Sequence, residues 1–184
     1  MMAQASNVML FLNLALPPGY SLIGNPLLGA DERVGEVLRG VPAGTELWTW
    51  SDGSFVEARF DGGEWDQPAQ RLRIGEGAFL LNPQDEPMTV TLTGGLAAGR
   101  RTNSIPAGLS MRSALHPISG RLTTDLGLKL LPLDNVYLWR DGRFEVYTYL
   151  PGDAWHPEEP RLSRGEGFFI RAEKALEWVT EVDP

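Results

Sequence analysis

The chain has no cysteine, only two histidines among its 184 residues, and no long apolar run. Without cysteine there is no disulfide staple, no thiolate cage for zinc, no cysteine nucleophile and no redox pair. A core must therefore form by burial alone, and a chain of this length is long enough to build one. The longest apolar stretches, such as VMLFLNLAL at Val8 to Leu16, are broken by Asn13 and stop at Pro17-Pro18. They fall short of the ~18 residues that a membrane-spanning helix requires, so membrane insertion is not expected. Basic charge is also scarce, with Lys+Arg 16 against Asp+Glu 24 and a net charge of -8. An acidic chain with no basic stripe repels phosphate backbones, and nucleic acid is not an expected partner.

What is plentiful is backbone punctuation. Gly 21 and Pro 14 are scattered along the chain, which suits many short strands joined by turns and leaves helix a minor element. The chain also repeats itself. The stretch Leu16 to Leu22 (LPPGYSL) returns at Ile105 to Met111 (IPAGLSM), and Leu47 to Phe55 (LWTWSDGSF) returns at Val136 to Phe144 (VYLWRDGRF), both eighty-nine positions on. Trp65 then matches Trp155, and RLRIGEG at Arg71 to Gly77 matches RLSRGEG at Arg161 to Gly167, ninety positions on. Four blocks in one order predict a tandem duplication, with units at 7–97 and 98–184 and a linker near GGLAAGRRT. The expected fold class is all-β: two small antiparallel sandwiches or partly open barrels packed about a pseudo-twofold axis, with a minor short helix.

Within a unit, the pattern predicts a strand at about Val8 to Leu16, a second at Tyr20 to Gly24, and a turn or two of helix in ERVGEVLRGV. The clearest element follows. In ELWTWSDGSFVEARF two β-rich runs flank Asp52-Gly53, the sequence of a type I′ hairpin turn, and Asp141-Gly142 repeats it. A two-residue loop sets Trp50 opposite Phe55, Thr49 opposite Val56 and Trp48 opposite Glu57. One face then carries Trp48, Trp50 and Phe55, and in the second unit Tyr137, Trp139, Phe144 and Val146. Packed core is the first reading of this face and an exposed ligand platform the second. Trp65 and Trp155 lie instead in Pro-rich acidic loops, where each is either a plug over the end of its unit or a platform for a sugar ring. The plug is preferred, because burying an indole is the larger stabilising effect.

Gly-Glu-Gly occurs at Gly75 to Gly77 and at Gly165 to Gly167, and both copies lead into an apolar strand, GAFLL or GFFI. A phosphate loop would lead into a helix and carry a Lys, Ser or Thr. The glycines are therefore read as turn and strand-start residues. Glu76 and Glu166 could form a carboxylate pair across a twofold, but the simpler expectation is a turn cap. His116 and His156, the latter near Glu158 and Glu159, are candidates for a single transition metal. Asp61, Glu64 and Asp66 offer hard oxygen ligands that the second unit does not repeat, so a solvated loop is expected. No Ser-His-Asp arrangement and no G-x-S-x-G elbow occurs.

The run LPPGYSLIGNPL, then Trp-x-Asp-Gly-x-Phe, then Trp, then GEGAFLLNP resembles a tandem-repeat module of uncharacterised exported bacterial proteins of verrucomicrobial and planctomycete type. The likeness covers Asn7 to about Val182, and in the second unit GLSMRSALHPISG replaces GYSLIGNPLLG. It implies export and a β-rich module and carries no catalytic residue. Ala3-Gln4-Ala5 has the small-x-small form of a secretory cleavage site and is read the same way, placing the protein outside the cell, on its surface or in a periplasm. The expected function is a non-catalytic structural, adhesive or binding module without a cofactor. Its candidate partners are a polysaccharide or another surface protein, and its candidate binding residues are Trp48, Trp50, Trp65, Trp139 and Trp155. The alternative is a metal-assisted extracellular enzyme acting on a polymer.

Overall fold

The computed structural model describes residues 9–96 and 98–182. Ala3-Gln4-Ala5, Asn7, Val8 and the unit boundary at Ala97 lie outside the described residues. The first half runs β1 (Met9–Leu16), β2 (Gly19–Gly24), α1 (Val34–Val37), β3 (Glu46–Ser51), β4 (Ser54–Arg59), β5 (Gly77–Asn82) and β6 (Met88–Gly95). The second runs β7 (Gly99–Ile105), β8 (Gly108–Ser113), β9 (Gly120–Arg121), β10 (Asn135–Arg140), β11 (Arg143–Leu150), β12 (Ala154–His156), β13 (Arg161–Leu162), β14 (Gly167–Ala172) and β15 (Leu176–Val182). The fold is all-β, every sheet is antiparallel, and none among the described residues closes into a barrel.

The halves share a pairing scheme. β1 pairs with β6 as β7 pairs with β15, and the orders β2-β5-β3-β4 and β8-β14-β10-β11 correspond strand for strand. The second half adds β12 to its outer edge and a short β9–β13 pair. In the first half the β1–β6 ribbon alternates strictly. Leu14, Leu16, Met88, Val90 and Leu92 turn inward, while Thr89, Thr91 and Thr93 face out. They pack on Leu47, Ala58, Ala78 and Leu80 from the four-stranded sheet, and Val34 and Leu38 around α1 complete this core. In the second half Ile105 and Trp178 of the ribbon meet Val136, Leu138, Phe168 and Ile170 of the sheet. The Trp178 indole donates to the Leu126 carbonyl at 2.8 Å, which satisfies the one polar atom of a fully buried ring.

Both hairpins have the expected register, with Trp50 opposite Phe55 and Trp139 opposite Phe144. The turn residues take positive φ, at 50° and 80° for Asp52 and Gly53 and at 50° and 73° for Asp141 and Gly142. That is the I′ signature. Valine at Gly53 or Gly142 meets nothing in space, but a β-branched residue is strained at these angles. Each substitution should cost ~1 kcal/mol or more, read as a lower denaturation midpoint, and unchanged midpoints would overturn the assignment.

The Gly-Glu-Gly segments do begin strands, and they also join the halves. Gly24 N–H donates to the Gly165 carbonyl and Ser113 N–H to the Gly75 carbonyl, both at 2.8 Å. Ile23 bridges Glu166 as Arg112 bridges Glu76. Each contact is the counterpart of the other, eighty-nine or ninety positions along the chain. Gly75 and Gly165 have positive φ, at 80° and 69°. A Cβ on Gly167 would lie 2.5 Å from the Ile23 carbonyl oxygen and 3.3 Å from the Cα of Gly77. The two glycines therefore allow two backbones to approach where side chains would hold them apart.

Candidate functional site: an aromatic cleft between the halves

The outer faces of the two main sheets, opposite their own cores, turn toward each other. Trp48, Trp50 and Phe55 are not part of the first core, nor are Tyr137, Trp139 and Phe144 part of the second. The packed-core reading of this face is thus replaced by a third, smaller cluster. Leu22, Met111 and Phe169 are its buried floor, and Trp50, Phe79, Tyr137 and Trp139 pack over them partly exposed.

The arrangement is reciprocal. Trp50 Nε1 donates to the Leu109 carbonyl at 3.1 Å, and Trp139 Nε1 to the Tyr20 carbonyl at 2.9 Å. Trp50 lies edge-on to Phe169 at 5.8 Å, and Trp139 edge-on to Phe79 at 5.3 Å. Phe79 and Phe169 meet at 6.1 Å between the two hairpins. Each hairpin contributes one further pair, Trp50–Phe55 at 4.9 Å and Trp139–Phe144 at 4.8 Å, in the T-shaped geometry that aromatic quadrupoles favour.

These rings enclose an open cleft of about 860 Å³. Phe55 and Phe144 keep 42% and 44% of their surface in water, although the cores beneath are closed. Polar groups are few along the walls. Trp48 Nε1 and the Tyr20 hydroxyl both donate to Glu46, at 3.2 and 2.9 Å. Partial burial and the neighbouring Glu46 carboxylate push the Tyr20 hydroxyl pKa upward. With the Trp50 and Trp139 indoles bonded across the halves, the three indole N–H groups in the cleft already have acceptors.

Of the sequence candidates, Trp48, Trp50 and Trp139 are brought together here. Trp65 and Trp155 are not. Trp65 is 5% exposed, tilted against Phe60 at 5.5 Å inside the first core. Trp155 is half-buried beside Tyr149 and reaches Thr123 Oγ1 at 3.4 Å. Glu76 and Glu166 cap their own turns, each accepting the N–H three residues back, from Arg73 at 3.1 Å and Ser163 at 2.7 Å. Glu166 also pairs with Arg140 at 3.0 Å.

His116 is buried, with Nε2 3.0 Å from Thr180 Oγ1, and burial first and Arg101 second push its pKa down. His156 is exposed on β12. The Glu159 carboxylate accepts from the backbone and hydroxyl groups of Thr123 and Thr124. Among the described residues no group of three or more His, Asp or Glu is placed to hold a metal ion. Asp61 ties its own loop, accepting from Gly63 and Glu64 N–H at 2.8 Å, and those bonds lower its pKa.

Phe79 and Phe169, which meet at the middle of the cleft, were not among the candidates singled out in the sequence. Their signal was present. Each stands two residues after the second glycine of Gly-Glu-Gly, on the strand face opposite Ala78 and Leu80 or Phe168 and Ile170. Comparison with family models, curated proteins and solved structures finds no match for this chain.

Proposed function

We propose that the chain is a non-catalytic, exported binding module whose ligand site is the aromatic cleft between its halves. The observation that carries this is the open aromatic surface itself. Apolar clefts of ~300–1,000 Å³ with a few polar groups are the usual form of a small-ligand site, and contiguous exposed apolar surface is costly unless something covers it. Export rests on Ala3-Gln4-Ala5 and on the resemblance of the repeat motifs. A polysaccharide and a surface protein are both candidate partners. The engaged indole N–H groups leave little to bond sugar hydroxyls, which favours an apolar surface over a hydroxyl-rich one.

Titration with the uncharged dye N-phenyl-1-naphthylamine tests the reading by fluorescence enhancement. The native protein should bind the dye. Phe55→Ala and Phe144→Ala should each weaken binding by at least about tenfold, the effect of losing one buried phenyl contact, with little change in melting temperature because both rings are half in water. Dye binding that is absent, or indifferent to both substitutions, would overturn the site. Retention on an insoluble polysaccharide that is lost in Phe144→Ala would instead identify a glycan ligand.

A further inference from the structure

The cleft repeats itself in its rings but not in its charges. Tyr20 matches Leu109, Trp48 matches Tyr137, Phe55 matches Phe144 and Phe79 matches Phe169, so the two walls are nearly equivalent. At the outer end of the first wall Glu46 lies opposite Arg59, and Glu57 lies opposite Trp48. Their counterparts on the second wall are Asn135, Thr148 and Val146, all uncharged. The position that is Leu81 in the first half is Arg171 in the second.

Arg171 follows Phe169 on the same face of β14, between Leu109 and Asn135 on the neighbouring strands, and it lines the cleft. It is exposed and joins none of the ion pairs formed among the described residues. Glu46 is already engaged, by Tyr20, by Trp48 and by Arg59 at 3.6 Å. The lining of the cleft thus includes a cation, Arg171, on the second wall, while the carboxylates Glu46 and Glu57 stand beside Trp48 on the first wall, just outside that lining.

Resting on the binding reading above, we propose that the cleft takes an apolar molecule bearing one carboxylate, with its acid group on Arg171 and its body along the rings toward Glu46. A guanidinium offers two parallel N–H donors to a carboxylate, and the low-polarity walls strengthen that pairing. The reverse orientation places the acid against Glu46 and Glu57 and is disfavoured by like-charge repulsion. One cation balances one negative charge. A phosphomonoester, at about −1.5 to −2 near neutral pH, would carry surplus charge into a protein of net charge -8.

The test displaces the bound dye with dodecanoate, 1-dodecanol and dodecyltrimethylammonium, all below their aggregation limits. The native protein should prefer the acid to the alcohol by about tenfold or more, the scale of one charge-assisted pair, and the cation, which gains nothing from Arg171, should bind no more weakly to Arg171→Leu than to the native protein. Arg171→Leu installs the residue found at the counterpart Leu81. It should bring acid and alcohol to equal affinity while leaving the alcohol unchanged. If it fails to melt as the native protein does, Arg171→Gln serves instead. Equal binding of acid and alcohol by the native protein, or a preference that survives the substitution, would overturn the ligand class and leave the cleft a site for neutral apolar molecules. No binding of any of the three would overturn the cleft as well.

Discussion

Trp65→Ala should destabilise the protein by ~3–5 kcal/mol, the range for truncating a core tryptophan, and leave dye binding in the cleft intact. The ring is almost wholly covered and packs on Phe60. On its other side it reaches α1, where a Cβ on Gly35 would sit 3.5 Å from Trp65 Cδ1. Trp155 occupies the matched place but is only half-buried, so Trp155→Ala should cost less, ~1–2 kcal/mol. Urea denaturation of both variants, set beside their dye affinity, separates scaffold from site. A Trp65→Ala protein with native stability would show that the indole does not support the core. One that loses dye binding without losing stability would move the site to that end of the molecule.

Gly167→Ala should cost ~2–3 kcal/mol, because the added methyl meets backbone that has no freedom to withdraw. The nearest atoms are the Ile23 carbonyl oxygen at 2.5 Å and its carbon at 3.0 Å, both in the opposite half. Relief requires the halves to separate, so dye binding should weaken along with stability. Gly63→Ala is the control. There the nearest atom is Asp61 Oδ1 at 3.5 Å, in an exposed turn. That change should be neutral or slightly stabilising, by ~0.5 kcal/mol, through a less flexible unfolded chain. Equal stability of the two variants in urea would mean that the junction is looser than its distances imply.

The contrast between these glycines shows what was legible in the sequence. Asp-Gly between alternating runs encodes local geometry, so the hairpins and their registers followed from turn chemistry alone. Of the ribbon strands only the first was read, at about Val8 to Leu16; its partner went unread although Met88 to Leu92 alternates like the surface it covers. The role of Gly77 and Gly167 was not legible beyond the start of a strand. What they make room for comes from segments more than thirty residues away, Arg112 for Gly77 and Ile23 for Gly167, and short-range pattern carries no such information. The aromatic face was recognised as a face, with Trp48 and Trp50 on one side of β3. Its destination was not, because a two-sided sheet has two candidate cores and composition does not say which side meets its own half. Trp65 and Trp155 were weighed as binding residues because loop tryptophans are open to either role, and only the packing around Phe60 and Tyr149 shows how each is covered.

One place at the junction holds a single side chain for two positions. A Cβ on Gly24 would fall 2.0 Å from the Cβ of Ser113, its own counterpart in the other half. Ser113 uses the room to donate its hydroxyl to the Glu76 carbonyl at 3.0 Å. Two identical subunits meeting in this way could not do so, since whatever one carried the other would carry too, and both would have to be glycine. With both positions on one chain, each is inherited separately, so one can yield the space and the other can occupy it. The same freedom that admits a serine at the centre admits an arginine on only one rim, and it gives a nearly symmetrical cleft a direction.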